Sequence, residues 1–481
     1  MRTSLFCGAL ALLFISCKHA PDMPRCCVER PPRRTAAHAD SGEPRDRWWQ
    51  TFGSSQLNEA VEEALVQNPD LIVAAGRLDA ALAEARIAGA DLKPRLGAGF
   101  DAARTQRNFI GFPIPGGQEQ VLTTRSTTFG LNLNTSWELD LWGRIRAARQ
   151  GAKAEARASE ADLAGARLSL AAQTAKAWFA ATEARRQVEI AEATVNSFCL
   201  TTQQVRDRYE RGLRPSLDLR LAEANFAAAE SLLSERRNFS ERATRQLELL
   251  LGRYPSGKIK TSATLQEVPE PVPAGLPAEL VARRPDLAAA EQRVFAADAR
   301  VAQARATLYP RISLTGSGGT SSSELEDLLS SQFKVWTIAG NLAQPLFEGG
   351  RLRANVDLSQ ARMRQALAAF QGEALRAFGE VENALAAEQW LGRREEELKR
   401  AFEQASAAKA LAEDRYRRGL EIFATVLDAQ RRALESETQL TTVRRLRLEN
   451  RVDLHLALGG GFSGETLANE PKQGQTRKKR S

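Results

Sequence analysis

The side chains that most often carry chemistry are few in this 481-residue chain, and they are scattered. The three histidines, His19, His38 and His455, have no spacing that would set two imidazoles on one metal or build a proton-transfer pair. Four of the five cysteines, Cys7, Cys17, Cys26 and Cys27, lie near the N-terminus, and Cys199 stands alone in a helical run. No disulfide framework or thiolate metal site emerges from that pattern. Gly316-Ser317-Gly318-Gly319 is glycine-rich, yet it lacks the lysine and the strand–helix setting of a phosphate loop. The net charge is +8, and Arg477-Lys478-Lys479-Arg480 supplies four of those charges. Elsewhere Glu and Arg mix along helical runs, as on a solvated surface, with no basic face interleaved with aromatics for nucleic acid. The reading is a non-enzyme with no cofactor, no metal and no nucleic-acid partner.

One cysteine does have a chemical context. Arg2 and the apolar run Leu5 to Ile15 have the form of a signal peptide, placed at 1–16, and the run is too short to span a bilayer as a mature helix. The run ends Phe14-Ile15-Ser16-Cys17, which resembles a bacterial lipobox except that Phe14 stands where Leu is preferred. Cys17 is therefore the expected lipidation site, palmitate included, and ordinary cleavage beside an incidental cysteine is the competing reading. Residues 17–47, rich in Pro, Arg and small polar residues, read as a flexible tether.

The elements that follow are organised by a repeat. Arg208–Ser234 opens RYERGLRPSLDL and Arg415–Thr441 opens RYRRGLEIFATVLDAQ, 207 residues apart. Each is a helical run, a break at Gly212 or Gly419, and a returning helix. The first copy is expected over 48–278, the second over 279–461, and a polar basic tail over 462–481. Asn68-Pro69-Asp70-Leu71 and Arg284-Pro285-Asp286-Leu287 start a helix in each copy, and Pro94 and Pro310 stop them. Period-two alternation then reads as hairpins: Leu96, Ala98, Phe100 and Ala102, then Phe129, Leu131, Leu133, Trp137 and Leu139 on one face. Ile312 and Leu314 start the second hairpin, 317–323 reads as its turn, and Trp336, Ile338 and Leu342 continue it. After Gly143 no proline intervenes until Pro215, so a helix of about 100 Å is expected. Such a helix needs coiled-coil-like partners. One apolar and one polar face fit either a soluble sheet or a transmembrane barrel strand. In lipid, four strands cannot close alone, so several chains would have to pool them.

These pieces resemble the outer membrane efflux protein family, the TolC-like outer membrane factors, in their lipoprotein branch of NodT/OprM type. The matching motifs are Arg47-Trp48-Trp49, Phe52-Gly53, Asn68-Pro69-Asp70-Leu71, Trp137-Glu138-Leu139-Asp140-Leu141-Trp142-Gly143, Arg283-Arg284-Pro285-Asp286-Leu287, both RYxxG segments, Leu427-Asp428-Ala429-Gln430 and Leu458-Gly459-Gly460-Gly461. The resemblance implies a mainly α fold with a small β part: a trimeric transmembrane β-barrel, four strands per chain, joined to a long α-helical periplasmic barrel. It implies a homotrimer in the outer membrane, working as a passive exit duct of a tripartite efflux system. Its partners would be a periplasmic adaptor (membrane fusion) protein and an inner-membrane pump such as an RND transporter. Carried over residue by residue, the adaptor contacts are Gly212, Leu213, Ser216, Gly419, Leu420 and Thr425. The periplasmic gate falls at Asp428, with Ala424 where a bulky apolar residue is expected and Phe423 as its candidate replacement. A three-fold carboxylate ring would attract cations and hold its pKa values up. Two other functions stay open: the duct of a one-step protein secretion system, and a periplasmic coiled-coil scaffold without a barrel.

Overall fold

The computed structural model describes residues 47–109, 122–262, 264–269 and 283–460. A short 3₁₀ turn, Trp48–Phe52, leads into α1 (Ser55–Gln67) and α2 (Pro69–Ala90). Then come β1 (Arg95–Phe109), β2 (Leu122–Leu139), α3 (Arg144–Glu210) and α4 (Ser216–Leu250). The order is repeated by α5 (Pro285–Ala306), β3 (Arg311–Ser322), β4 (Lys334–Ala343), α6 (Arg351–Arg417) and α7 (Phe423–Ala457). Corresponding helices have equal lengths: 22 residues in α2 and α5, 67 in α3 and α6, and 35 in α4 and α7. The fold is mainly α with a small β part.

The long helices persist because alanine and unbranched residues fill them and no proline interrupts them. At 1.5 Å per residue each spans about 100 Å. Packing rather than propensity holds them together. Ala147, Gly151, Ala154, Ala158 and Ala161 form a small-residue stripe on α3. A Cβ at Gly151 would sit 3.5 Å from the Ala296 carbonyl of α5, so the two backbones lie close together. The main core gathers where the N-terminal turn meets α1, α3, α4 and α7, with Trp48, Phe52, Leu57, Trp178, Phe179, Leu247, Leu448 and Val452 buried together.

The proline motifs of the two copies have a common physical role. In the first, the Asn68 amide donates to the Leu250 carbonyl at 2.9 Å while its oxygen accepts from Asp70 N–H. In the second, the two jobs are divided: Arg284 donates to Asp286 at 2.6 Å and to the Ala457 carbonyl at 3.2 Å, and the Asp286 carboxylate accepts from Leu287 N–H at 2.9 Å. Each motif caps a short helix and ties it to the end of the returning helix. Gly252 (φ 73°) and Gly459 (φ 83°) complete these joints. A Cβ on Gly252 would lie 2.8 Å from the Gln67 carbonyl, and one on Gly459 would overlap the Arg283 carbonyl. Only glycine supplies both the left-handed backbone and the space.

The sheet is a four-stranded antiparallel meander in the order β1-β2-β3-β4. Its register puts Leu96, Ala98, Phe100 and Ala102 level with Thr135, Leu133, Leu131 and Phe129. The same face continues through Ile312, Leu314, Gly316 and Gly318 into Leu342, Gly340, Ile338 and Trp336. All the apolar positions expected from the alternation share this face. The opposite face carries Asp101, Asn132 and Asn134, linked through amide bonds of 2.6 Å. The stretch 317–323, expected as a turn, is instead largely the second half of β3. Its glycines let β2 approach: a Cβ on Gly319 would overlap the Leu131 carbonyl. The turn follows it and carries two short 3₁₀ segments, Glu326–Leu329 and Ser331–Phe333. β1 also runs on past Ala102 to Phe109. The Gly/Pro-rich segment around Gly111–Gly117 lies outside the described residues, as do Cys17 and the N-terminal and C-terminal segments.

Two buried polar groups bear on stability. The Glu248 carboxylate accepts from the backbone N–H groups of Gly257, Lys258 and Ile259 and from the Ser256 hydroxyl. Burial alone would raise its pKa, but these donors together hold it below the usual carboxylate range. His455 is the opposite case. Its ring stacks on Trp48 at 5.2 Å, and neither nitrogen has a partner among the described residues. Burial first, and the Arg451 charge second, push its pKa down from 6.5 to about 4. The neutral ring is therefore the folded form, and the unfolded chain binds the extra proton between those two values. Its stabilisation is complete above pH 6.5 and is lost as pH falls toward 4, roughly 3 kcal/mol in total. Thermal unfolding between pH 4 and 7 should show that loss in the wild type and a shallower one in His455→Phe. Equal pH slopes would remove His455 as the cause.

Candidate functional site

The end of the helices formed by the two α-hairpin tips gathers most of the expected site residues. The two turns have the same backbone construction. Gly212 N–H donates to Tyr209 O at 2.8 Å and Leu213 N–H to Arg208 O at 2.8 Å. Gly419 N–H donates to Tyr416 O at 3.0 Å and Leu420 N–H to Arg415 O at 2.9 Å. Both are Schellman closures, and both glycines take positive φ, 74° and 80°. The turns leave Gly212, Leu213, Ser216, Gly419, Leu420 and Thr425 exposed. Leu213 and Leu420 are 67% and 65% accessible, an apolar side chain standing out from each tip.

Beneath the turns the two tips are joined by a small core of Val205, Ala222, Ala412, Tyr416, Phe423, Val426 and Ala429. Phe423, the expected replacement for an apolar constriction, is 1% exposed and packs on the Tyr416 ring at 5.5 Å. It is core of the tip here, because α7 begins at this residue and turns its ring between the hairpins. Ala424 is exposed and adds no bulk. The position therefore has no large apolar side chain pointing outward from either residue.

Asp428 is half-exposed on α7, with its two oxygens held by Arg431 and Arg432, each at 2.7 Å. These two guanidinium groups, Arg432 foremost, hold its pKa below the usual carboxylate range. A ring of bare carboxylates was expected to do the reverse. The difference comes from the arginines three and four residues on, which sit one helical turn away on the same face. The first copy has Leu221 at the matching place, so the Asp–Arg cluster occurs once per chain.

Two tip residues were not singled out from the sequence. Arg208, at the end of α3, donates to the Tyr416 and Arg417 carbonyls at 3.0 and 2.8 Å. Arg214, in the first turn, donates to the Glu421 carbonyl at 3.4 Å. Both guanidinium groups lie over the Tyr416 ring, 5.0 and 4.9 Å from its centre. Together they bind the first tip to the second. The signal was available in the repeat, because Arg214 and Glu421 occupy equivalent positions, as do Tyr209 and Tyr416. Replacing both arginines with alanine should loosen the second turn by about 2 kcal/mol, from charged hydrogen bonds and cation–π contacts together. Amide exchange over 415–422 should then accelerate roughly thirtyfold. Unchanged exchange there would show that these arginines do not hold the turn.

At the other end of the long helices, aromatic side chains hold the junction with the sheet. The Trp137 indole donates to the Leu92 carbonyl at 3.0 Å, and the Trp142 indole to the Pro310 carbonyl at 2.8 Å. Trp142 also stacks on Tyr309 at 4.9 Å. In the Trp-Glu-Leu-Asp motif, Glu138 grips Arg144 in a two-pronged pair, and Asp140 accepts from the first N–H groups of α3. Among the described residues no group of His, Cys, Asp and Glu is arranged to hold a metal, and no helix is long and apolar enough to cross a membrane.

The architecture and its motifs have clear relatives. Residues 60–253 and 276–460 match the family model described as Outer membrane efflux protein. The chain is 34% identical over 429 residues to the pyoverdine export outer membrane protein OpmQ of Pseudomonas putida, covering 88% of this chain and 90% of that one. It is 30% identical over 464 residues to the cation efflux system protein CusC of Escherichia coli K12, covering 95% and 98%. Its fold is similar to a crystal structure of a membrane protein from Pseudomonas aeruginosa, with TM-score 0.81 at 32% identity, covering 91% and 98% of the two chains. CusC crystal structures give TM-score 0.79 at 28% identity, covering 89% and 96%. The chain belongs to the outer membrane efflux protein family.

Proposed function

We propose that this protein is the outer membrane exit duct of a tripartite efflux system and works as a passive channel, not an enzyme. The observation that carries the reading is the sheet: its large apolar side chains from Leu96 and Leu139 to Phe129 and Trp336 gather on one face, and it is continuous with helices of about 100 Å. A periplasmic scaffold would have no use for that face. β1 and β4 are open edges, which hydrocarbon does not tolerate, so three chains pool twelve strands into one barrel. The helices then cross the periplasm, and the tips meet an adaptor protein that links the duct to an inner-membrane pump. Gly212, Leu213, Ser216, Gly419, Leu420 and Thr425 form the contact, with the two exposed leucines as its apolar points. The chain is built from two copies, 48–278 and 279–461. The names of the relatives include pyoverdine and cation export, so the duct architecture serves unlike cargoes.

Cys17 anchors the chain through acylation. Lipid labelling should be lost in Cys17→Ser while the channel persists, and labelling that survives the substitution would exclude this site.

The gate lies at Asp428, where the Asp–Arg cluster makes its ring differ from a bare carboxylate ring. Each chain supplies one carboxylate and two guanidinium groups, so a trimer carries three and six. The arginines order the carboxylates and offset their repulsion. In planar bilayers, divalent and trivalent cation block from the periplasmic side should weaken in Asp428→Ala. It should strengthen when Arg431→Gln and Arg432→Gln free the carboxylate. Equal block in all three proteins would place Asp428 away from the aperture.

A further inference from the structure

The outward face of the sheet is not apolar along its whole length. On β1 it reads Leu96, Ala98, Phe100, Ala102, then Arg104, Gln106 and Asn108. On β2, followed from the helical end, it reads Leu139, Trp137, Thr135, Leu133, Leu131, Phe129, then Thr127 and Arg125. On β4 it reads Leu342, Gly340, Ile338, Trp336, then Lys334. The side-chain direction is fixed by register, and Arg125 confirms it by donating to Gln106 on the same face at 2.9 Å. From Leu139 to Phe129 is ten steps, about 34 Å along the strand at ~3.4 Å each. With the usual tilt near 45°, that is about 24 Å of membrane depth, close to the apolar band of an outer membrane barrel. Arg104 and Arg125 lie just beyond that band, at the end far from the helices, and Lys334, in register with Thr320 and Leu131, lies past the apolar end of its own shorter strand.

Their chemistry is one-sided. No acidic residue occurs on the outward face of any of the four strands. Arg104, Arg125 and Lys334 are exposed, and none has a carboxylate partner among the described residues. Many arginines on the helices are, by contrast, ion-paired. A side chain here points away from the lumen, so it meets neither solute nor another strand of the barrel. What it meets is the headgroup layer of the outer leaflet, and a long cationic stem suits that boundary. Arginine and lysine there match phosphate oxygens in charge and donor geometry.

We propose that Arg104, Arg125 and Lys334 form an outward basic girdle that binds the phosphates of a phosphorylated glycolipid of the lipid A class in the outer leaflet. This rests on the barrel reading above. The occupant is a lipid rather than free phosphate because Trp336 and Ala102 stand two residues from Lys334 and Arg104 on the same outward face, so an apolar surface suited to acyl chains borders the cations. In a trimer the girdle has nine cations, three from each chain. It fixes the depth of the barrel and favours the outer leaflet's lipid over the zwitterionic kind.

The test uses the full-length, delipidated trimer in phosphatidylcholine nanodiscs. Bound lipid per trimer is read by native mass spectrometry after adding bisphosphorylated lipid A, its dephosphorylated form, or phosphatidylglycerol. The wild type should retain bisphosphorylated lipid A and hold the other two at least about tenfold less. The variant Arg104→Gln, Arg125→Gln, Lys334→Gln should lose that preference, and Arg107→Gln, which lies on the lumen face, should keep it. Equal retention of all three lipids by the wild type overturns the proposal, as does full retention by the triple variant. If that variant does not insert, the wild-type comparison of phosphorylated with dephosphorylated lipid A still decides. Single-channel conductance on the same preparation separates the two readings. A wild type that conducts but shows no lipid preference sinks the girdle alone, and one that forms no channel sinks the barrel.

Discussion

Backbone hydrogen bonding in hydrocarbon is the constraint from which the rest of this molecule follows. A strand in lipid must find partners for every N–H and C=O it exposes, because no water is there to take them. The protomer leaves both β1 and β4 without an outer neighbour. It is therefore an incomplete object, and its shape makes sense only as a sector of a larger ring. The unequal burial of the two long helices fits that view. α3 packs against α1, α2, α4, α5 and α7 and buries a long series of small side chains. α6, of equal length, buries only a few residues and leaves Leu375 and Trp390 exposed. In the trimer proposed above, a neighbouring copy would supply what α6 lacks.

The duplication set the geometry, and the two copies then diverged where chemistry was needed once per chain. The joints at Gly252 and Gly459 use the same contact in both copies, because closing a returning helix onto a short helix is a purely geometric task. The tips differ. Tyr209 is exposed while its counterpart Tyr416 is 2% exposed under two arginines of the other tip. Arg214 faces the backbone of its own counterpart, Glu421. Asp428 with its arginines stands against Leu221. Six hairpin tips around a three-fold axis would then alternate in character, with three carrying the acid–arginine cluster and three not.

Much of this was legible in the sequence, and the reason is periodicity. Equal runs without proline, two positive-φ glycines at hairpin tips and alternating strand residues each follow from local stereochemistry. The apolar positions of one sheet face could be read from the alternation before any contact was known. The failures had different physics. Residues 317–323 look like a turn because Gly, Ser and Thr favour one, yet tertiary pairing with β2 and β4 makes most of them strand. Phe423 looks free because it begins a helix, but the tip core claims it. Asp428 could be read either as a ring carboxylate or as a salt-bridged helix position, and its Arg431 and Arg432 partners appear only in the fold. Arg208 and Arg214 were missed because their targets are backbone carbonyls some 200 residues away, which no local pattern encodes.

The lumen face of the strands carries a final physical lesson about passive conduction. It is lined by Gly97, Gly99, Ser126, Thr128, Asn132, Asn134, Ser136, Thr315, Ser317, Thr337 and Asn341, which are small and mostly neutral. The charged residues of this face are Arg95, Asp101, Arg107, Glu138 and Arg311, of which Arg95 is committed to Asp91 and Glu138 to Arg144 at 2.8 Å. Asp101 is held by Asn132. Such a wall keeps water but offers a passing solute no deep well, and conduction requires that binding be weak enough to permit escape. Selection must then occur before the solute reaches the barrel.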